Sequence, residues 1–105
     1  VKLLKYGTIL IEMLRIKIPS DGLSALDYRK FTQLDVPHPQ SGIRPEVNNN
    51  VILLFEDEQE AVDYAHQVDG YAESLEDHNS SEYLAANDII KAIGDDGFVQ
   101  AYIQS

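Results

Sequence analysis

The sequence predicts an α+β fold of two layers, a mixed or antiparallel sheet of about four strands with two helices on one face. Three observations carry that reading. Short apolar runs of strand length occur early, in the middle and at the end of the chain. Two later segments carry apolar residues at helical spacing. Clusters of Pro, Gly, Asn and Asp separate them. At 105 residues the chain has the size of a single domain, residues 1–105.

Residues 8–18 read as the first strand. Leu10, Leu14, Ile16 and Ile18 fall on one side, with Glu12 as the exception, and Ile9, Ile11, Met13, Arg15 and Lys17 on the other. Pro19, Ser20, Asp21 and Gly22 form a turn, since proline presets φ and glycine accepts a positive one. Residues 26–36 fit a strand better than a helix. Leu26, Tyr28, Thr32, Leu34 and Val36 share one face and Lys30 is the misfit, whereas a helix starting at Ser24 collects only Leu26, Phe31 and Leu34. Residues 8–36 are then expected to form a β-hairpin. Residues 37–50, with three prolines and three consecutive asparagines, are expected to be a long loop.

Residues 51–55 are five consecutive apolar residues, a buried strand too short to be a helix. A helix follows. Asp57 can cap it, Glu60 stands three residues on, and Ala61, Ala65, Val68, Ala72 and Leu75 form its apolar stripe, edged by Tyr64 and Tyr71. Gly70 either ends this helix or weakens its middle. Asn79 and Glu82 have capping-box spacing for a second helix, whose stripe is Tyr83, Ala86, Ile90 and Ile93 with Ile89 beside it. Gly94 is placed as its C-terminal left-handed residue, and residues 98–103 alternate as a last strand. The second face of the sheet is expected to gather Ile9, Ile11, Met13 and Phe31, an apolar patch through which a homodimer could form.

Charge is distributed unevenly. Net charge is −10, yet residues 1–44 hold seven basic side chains against four acidic ones. Residues 45–105 hold one basic side chain, Lys91, against fourteen acidic. Nucleic acid and anionic membrane are poor partners for such a surface, because both are bound by displacing counterions with Lys and Arg. A basic protein partner suits it. The expected partner-binding residues are Glu56, Asp57, Glu60, Asp63, Tyr64, Tyr71, Glu73 and Glu76, which combine carboxylates with tyrosines that offer area and a hydroxyl.

The motifs of chemistry are missing. There is no cysteine, so disulfides and thiolate metal sites are excluded, and a reducing, cytoplasmic setting is expected. No signal peptide is read at the N-terminus. The Asp95 to Val99 run resembles the middle of a calcium loop, but the spacing puts Ala92 and Tyr102 where oxygen ligands belong. Asp63 and Asp69 flank His66 but project about 120° apart on a helix, too far for one ion. No Gly-x-Ser-x-Gly and no glycine-rich phosphate loop occurs. No cofactor, no metal and no catalytic residue is expected. The leading reading is a non-catalytic regulatory protein of the inhibitor, immunity or DNA-mimic type. A structural or homo-oligomeric subunit is the second reading. A small ligand binder or enzyme using the 37–50 loop, with His38 and Arg44, is the third.

Overall fold

The computed structural model describes residues 13–95. In chain order these form β1 (Leu14–Ile18), α1 (Tyr28–Gln33), β2 (Ile43–Pro45), β3 (Val51–Phe55), α2 (Glu58–Glu73) and α3 (Ser81–Asp95). The class is α+β: one open sheet of three antiparallel strands, in the order β1-β3-β2, with three helices. The strand expected at 98–103 lies outside the described residues, as do Ile9 and Ile11.

Strand β3 holds the centre. Its partners on β1 run Leu14 to Phe55, Arg15 to Leu54, Ile16 to Leu53, Lys17 to Ile52 and Ile18 to Val51. Directly opposed residues of an antiparallel pair share a face. Ile16, Ile18, Val51, Leu53 and Phe55 therefore line the inner face, and all are buried. Against them lie Ala61, Ala65, Val68 and Ala72 of α2 and Ala85, Ala86, Ile89 and Ile93 of α3. The small residues let the two long helices and the sheet approach closely. The stripe expected on α2 is the one observed, with Leu75 half-buried. On α3 the inward residue is Ile89 rather than Ile90, which is half-buried beside Tyr83.

Four expectations are corrected. Residues 26–36 do not form a strand. Asp27 caps a six-residue helix by accepting a hydrogen bond from Lys30 N at 2.7 Å, and Tyr28 N donates to Asn49 O at 2.8 Å. One turn and a half is too short to show a helical period, and Lys30, the misfit of the strand pattern, takes part in the cap. The hairpin expected at 8–36 is absent in consequence, because β1 pairs with β3 instead. Phe31 lies in the core, fully buried, and not on the second face of the sheet. Finally, the 37–50 segment is not all loop, since it contains β2. Pro45 is tolerated there because, among the described residues, β2 pairs only with β3 and stands at the edge of the sheet.

The helix ends also shift by a residue. Ser80, not Asn79, caps α3, with Tyr83 N donating to its Oγ at 3.1 Å. Gly94 lies inside the last turn of α3 and does not stand after it. Gly70 neither ends nor interrupts α2.

Two positions in and just before the β2–β3 hairpin require unusual backbone. Gly42 has φ +100° at the end of the turn that leads into β2, where its N–H bonds Pro39 O at 3.0 Å. Between β2 and β3, Asn49 N donates to Glu46 O at 2.8 Å and Glu46 N to Asn50 O at 2.9 Å. This is a three-residue hairpin loop whose last residue, Asn49, adopts the left-handed region at φ 65°. The run of asparagines is explained there, because Asn tolerates that conformation better than other non-glycine residues.

The core and the hairpin give separate tests. Phe55→Ala is expected to cost about 3–5 kcal/mol in urea unfolding. Asn49→Gly should be close to neutral, whereas Asn49→Val should cost about 1–2 kcal/mol. A Val variant as stable as the Gly variant would contradict the left-handed assignment.

Candidate functional site: an acidic helical pair behind a cationic sheet

Residues 56–90 contain eleven carboxylates and no Lys or Arg. The fold gives them two kinds of work. Some are used by the protein itself. Asp57 accepts from Glu60 N at 2.9 Å as the cap of α2. Glu60 reaches back so that its Oε1 accepts from Glu56 N at 3.1 Å and from Ser41 Oγ at 2.7 Å, tying the helix start to the 37–42 segment. These two carboxylates also suit the positive end of the helix dipole. Asp63 Oδ1 accepts from Gln59 Nε2 at 2.9 Å, one turn away. Asp77 closes a local turn by accepting from Asn79 N at 2.9 Å. Asp88 is buried and holds Ser24.

The others face outward. Glu58, Asp69, Glu73 and Glu76 are exposed. On α2 the first three project within about 60° of one another, by the 100° step of the helix. With exposed Glu56, Asp57 and Asp63 they give the helix a solvent face that carries no Lys or Arg. His78 stacks on Tyr83 at a centroid distance of 4.4 Å and 12° between planes.

The two tyrosines expected at the site part ways. Tyr64 is 4 % exposed, tilts against Phe55 at 5.6 Å, and donates its hydroxyl to Pro37 O at 2.7 Å. Its ring belongs to the core and pins the proline-rich segment. Burial pushes its hydroxyl pKa well above the ordinary 10.0. Tyr71 is half-buried. Burial raises its pKa too, and the carboxylates of Asp35 and Glu82 add to the rise by opposing a second negative charge. Tyr71 thus feels the charge of carboxylates from two distant parts of the chain, which sequence spacing cannot reveal. Of the eight expected residues, Asp63, Glu73 and Glu76 face solvent freely enough to meet a partner. Glu56, Asp57 and Glu60 gather at the α2 start, and Tyr71 lies at the rim.

The opposite side of the sheet has the reverse charge. Arg15 and Arg44 are exposed around Ile52 and Leu54 in a shallow groove of about 440 Å³ that Glu46 also lines, and exposed Lys17 stands opposite Ile52 on the same face. Lys17 pairs with Glu46, Nζ to Oε1 3.2 Å. Among the described residues, Arg15, Lys17 and Arg44 thus stand on the outer sheet face, while α2 carries carboxylates and no Lys or Arg. A second groove, about 450 Å³, runs from Gln40, Ser41 and Arg44 to Glu56 and Glu60. His38 is not part of it: the ring meets Phe31 edge-on at 4.7 Å and 78°. Among the described residues no three His, Asp or Glu side chains are placed to share a metal ion, and no helix is long and apolar enough to cross a membrane.

No protein-family model, no curated protein and no solved structure matches the chain. The residues must therefore be read on their own chemistry.

Tyr64 supplies a test of how the proline segment is held. Tyr64→Phe should cost about 1–2 kcal/mol, because Pro37 O loses its donor in a half-buried place. The pH dependence has a fixed sign. A hydroxyl whose pKa is raised on folding contributes stability that is present below the unfolded value of 10.0 and is lost as pH rises beyond it. Unfolding free energy measured above pH 10 should therefore fall more steeply in the parent than in Tyr64→Phe. Equal slopes would show that Tyr64 is not the buried group responsible.

Proposed function

We propose that this protein is a non-catalytic interaction or regulatory protein whose acidic helical pair binds a basic protein partner. One observation carries the reading. Across α2, the following turn and most of α3, no Lys or Arg interrupts the carboxylates, while among the described residues Arg15, Lys17 and Arg44 stand on the outer sheet face. Such separation builds a field of one sign over one surface, which steers a partner of opposite sign and rejects others. A uniformly solubilising surface would mix the signs. The aromatic rim at Tyr71 and Tyr83 supplies apolar area beside the carboxylates, and partner surfaces often gain affinity from such residues. Inhibitors of basic enzymes and protein mimics of DNA work by this electrostatic logic, and a cytoplasmic setting is the one proposed for it.

The sheet-to-sheet homodimer is less favoured by the same charges. Packing the outer faces of two copies would oppose Arg15, Lys17 and Arg44 to like charges.

The test uses the full chain and a triple variant, Asp69→Lys, Glu73→Lys and Glu76→Lys, immobilised at equal density. The parent should retain a basic protein from cell extract at low salt and release it at about 0.5 M salt, where screening acts within a few Å. The variant should retain at least tenfold less. The reading is wrong if nothing is retained, or if retention is indifferent to salt and to the charge reversal.

A further inference from the structure

A cavity of about 390 Å³ lies between α3 and the segment that follows β1, and its lining includes none of the exposed carboxylates proposed to meet a partner. Its wall contains Asp88, which is only 8 % exposed. One carboxylate oxygen, Oδ2, accepts from Ser24 N at 2.8 Å and also from Ser24 Oγ. Both donors are neutral, and among the described residues no Lys or Arg nitrogen lies within ion-pair range of Asp88. On the Ser24 side, Lys30 Nζ donates to Ser24 O at 2.6 Å and not to the carboxylate. A carboxylate taken out of water costs several kcal/mol unless a cation or a full set of donors compensates it. Asp88 has donors on one oxygen and faces a cavity.

The surroundings hold this arrangement at some expense. Gly22 lies directly over the carboxylate: a Cβ there would stand 2.6 Å from Oδ2 and 2.7 Å from Oδ1, so a larger residue would push the carboxylate from its place. Ala25, one residue past Ser24, adopts φ 49°, a left-handed conformation unfavourable for alanine. Leu23 is 79 % exposed at the cavity lip, one of the few large apolar residues turned to solvent.

The cavity also offers the opposite charge. Lys91 is exposed on α3 one turn beyond Asp88 and lines the same space, with Asp21 across from it and Asn87 beside it. Pro19 and Leu23 supply an apolar wall. A ligand that satisfies this lining carries an ammonium for Asp88 and Asp21, a carboxylate for Lys91, and a modest apolar group for Leu23 and Pro19. We propose that this cavity is a binding site for a small zwitterion of the free α-amino acid class. The site is independent of the acidic helix face, and neither reading requires the other.

The experiment is a titration of the ¹⁵N-labelled full chain with L-leucine, followed by amide shifts. Saturable shifts are expected at Gly22, Leu23, Asn87 and Lys91 below about 10 mM ligand. Leucinamide, which lacks the carboxylate, and N-acetyl-leucine, which lacks the ammonium, should each bind at least tenfold more weakly. Lys91→Ala changes an exposed residue, so the fold should persist while leucine affinity falls at least tenfold. Asp88→Asn keeps the shape of the side chain and should abolish the shifts, with its folding checked by amide dispersion. Absence of saturable shifts in the parent overturns the proposal. So does equal binding of either blocked analogue, or unchanged affinity in Lys91→Ala.

Discussion

The register of β1 against β3 decides nearly everything else. Ile16 stands opposite Leu53, and Arg15 opposite Leu54. The side-chain period of a strand is two, so a slip of one residue would bury Arg15 and Lys17 and expose Ile16 and Ile18. Burying two unpaired cations costs far more than the sheet could recover, which fixes the register. The same register sets the sign of each surface. Cations go to the outer face because aliphatic residues claim the inner one, and the helices that cover the inner face carry the carboxylates outward.

The central strand also links the two regions. Val51 to Phe55 ends in Glu56 and Asp57, so the residue that starts α2 by capping follows the strand with almost no connection. Glu60 then bonds Ser41 and the Glu56 backbone, anchoring the acidic end of α2 to the segment before β2. Part of the negative charge is structural for this reason. The part proposed to meet a partner lies further along, at exposed Asp69, Glu73 and Glu76.

The legible part of the fold was the part with period. The stripe of α2 spans more than four turns, and β3 is a continuous apolar run, so both stood out in the sequence. The helix α1 did not, because six residues with one buried side chain, Phe31, carry no measurable period, and its cap at Asp27 could equally begin a turn. β2 was hidden by Pro45, a residue that argues against a strand unless the strand is known to be at an edge. The candidate residues were legible as a composition, carboxylates without cations, but not as a surface. Nothing in the spacing distinguishes Tyr64, whose ring fills the core, from Tyr71, which is half-buried at the rim. The pairing of Asp88 with Ser24 spans 64 positions and has no local signal at all.

The account rests on the separation of charge between helices and sheet, and that separation can be measured directly. Two nitroxide probes of equal size, one cationic and one anionic, report the local potential through the paramagnetic relaxation of backbone amide protons. The cationic probe should relax the amides of Asp63, Asp69 and Glu73 severalfold more than the anionic one, with the opposite preference at Arg15, Lys17 and Arg44. Ratios that are uniform over both faces would contradict the account, since the carboxylates would then form no coherent field for a basic partner to meet.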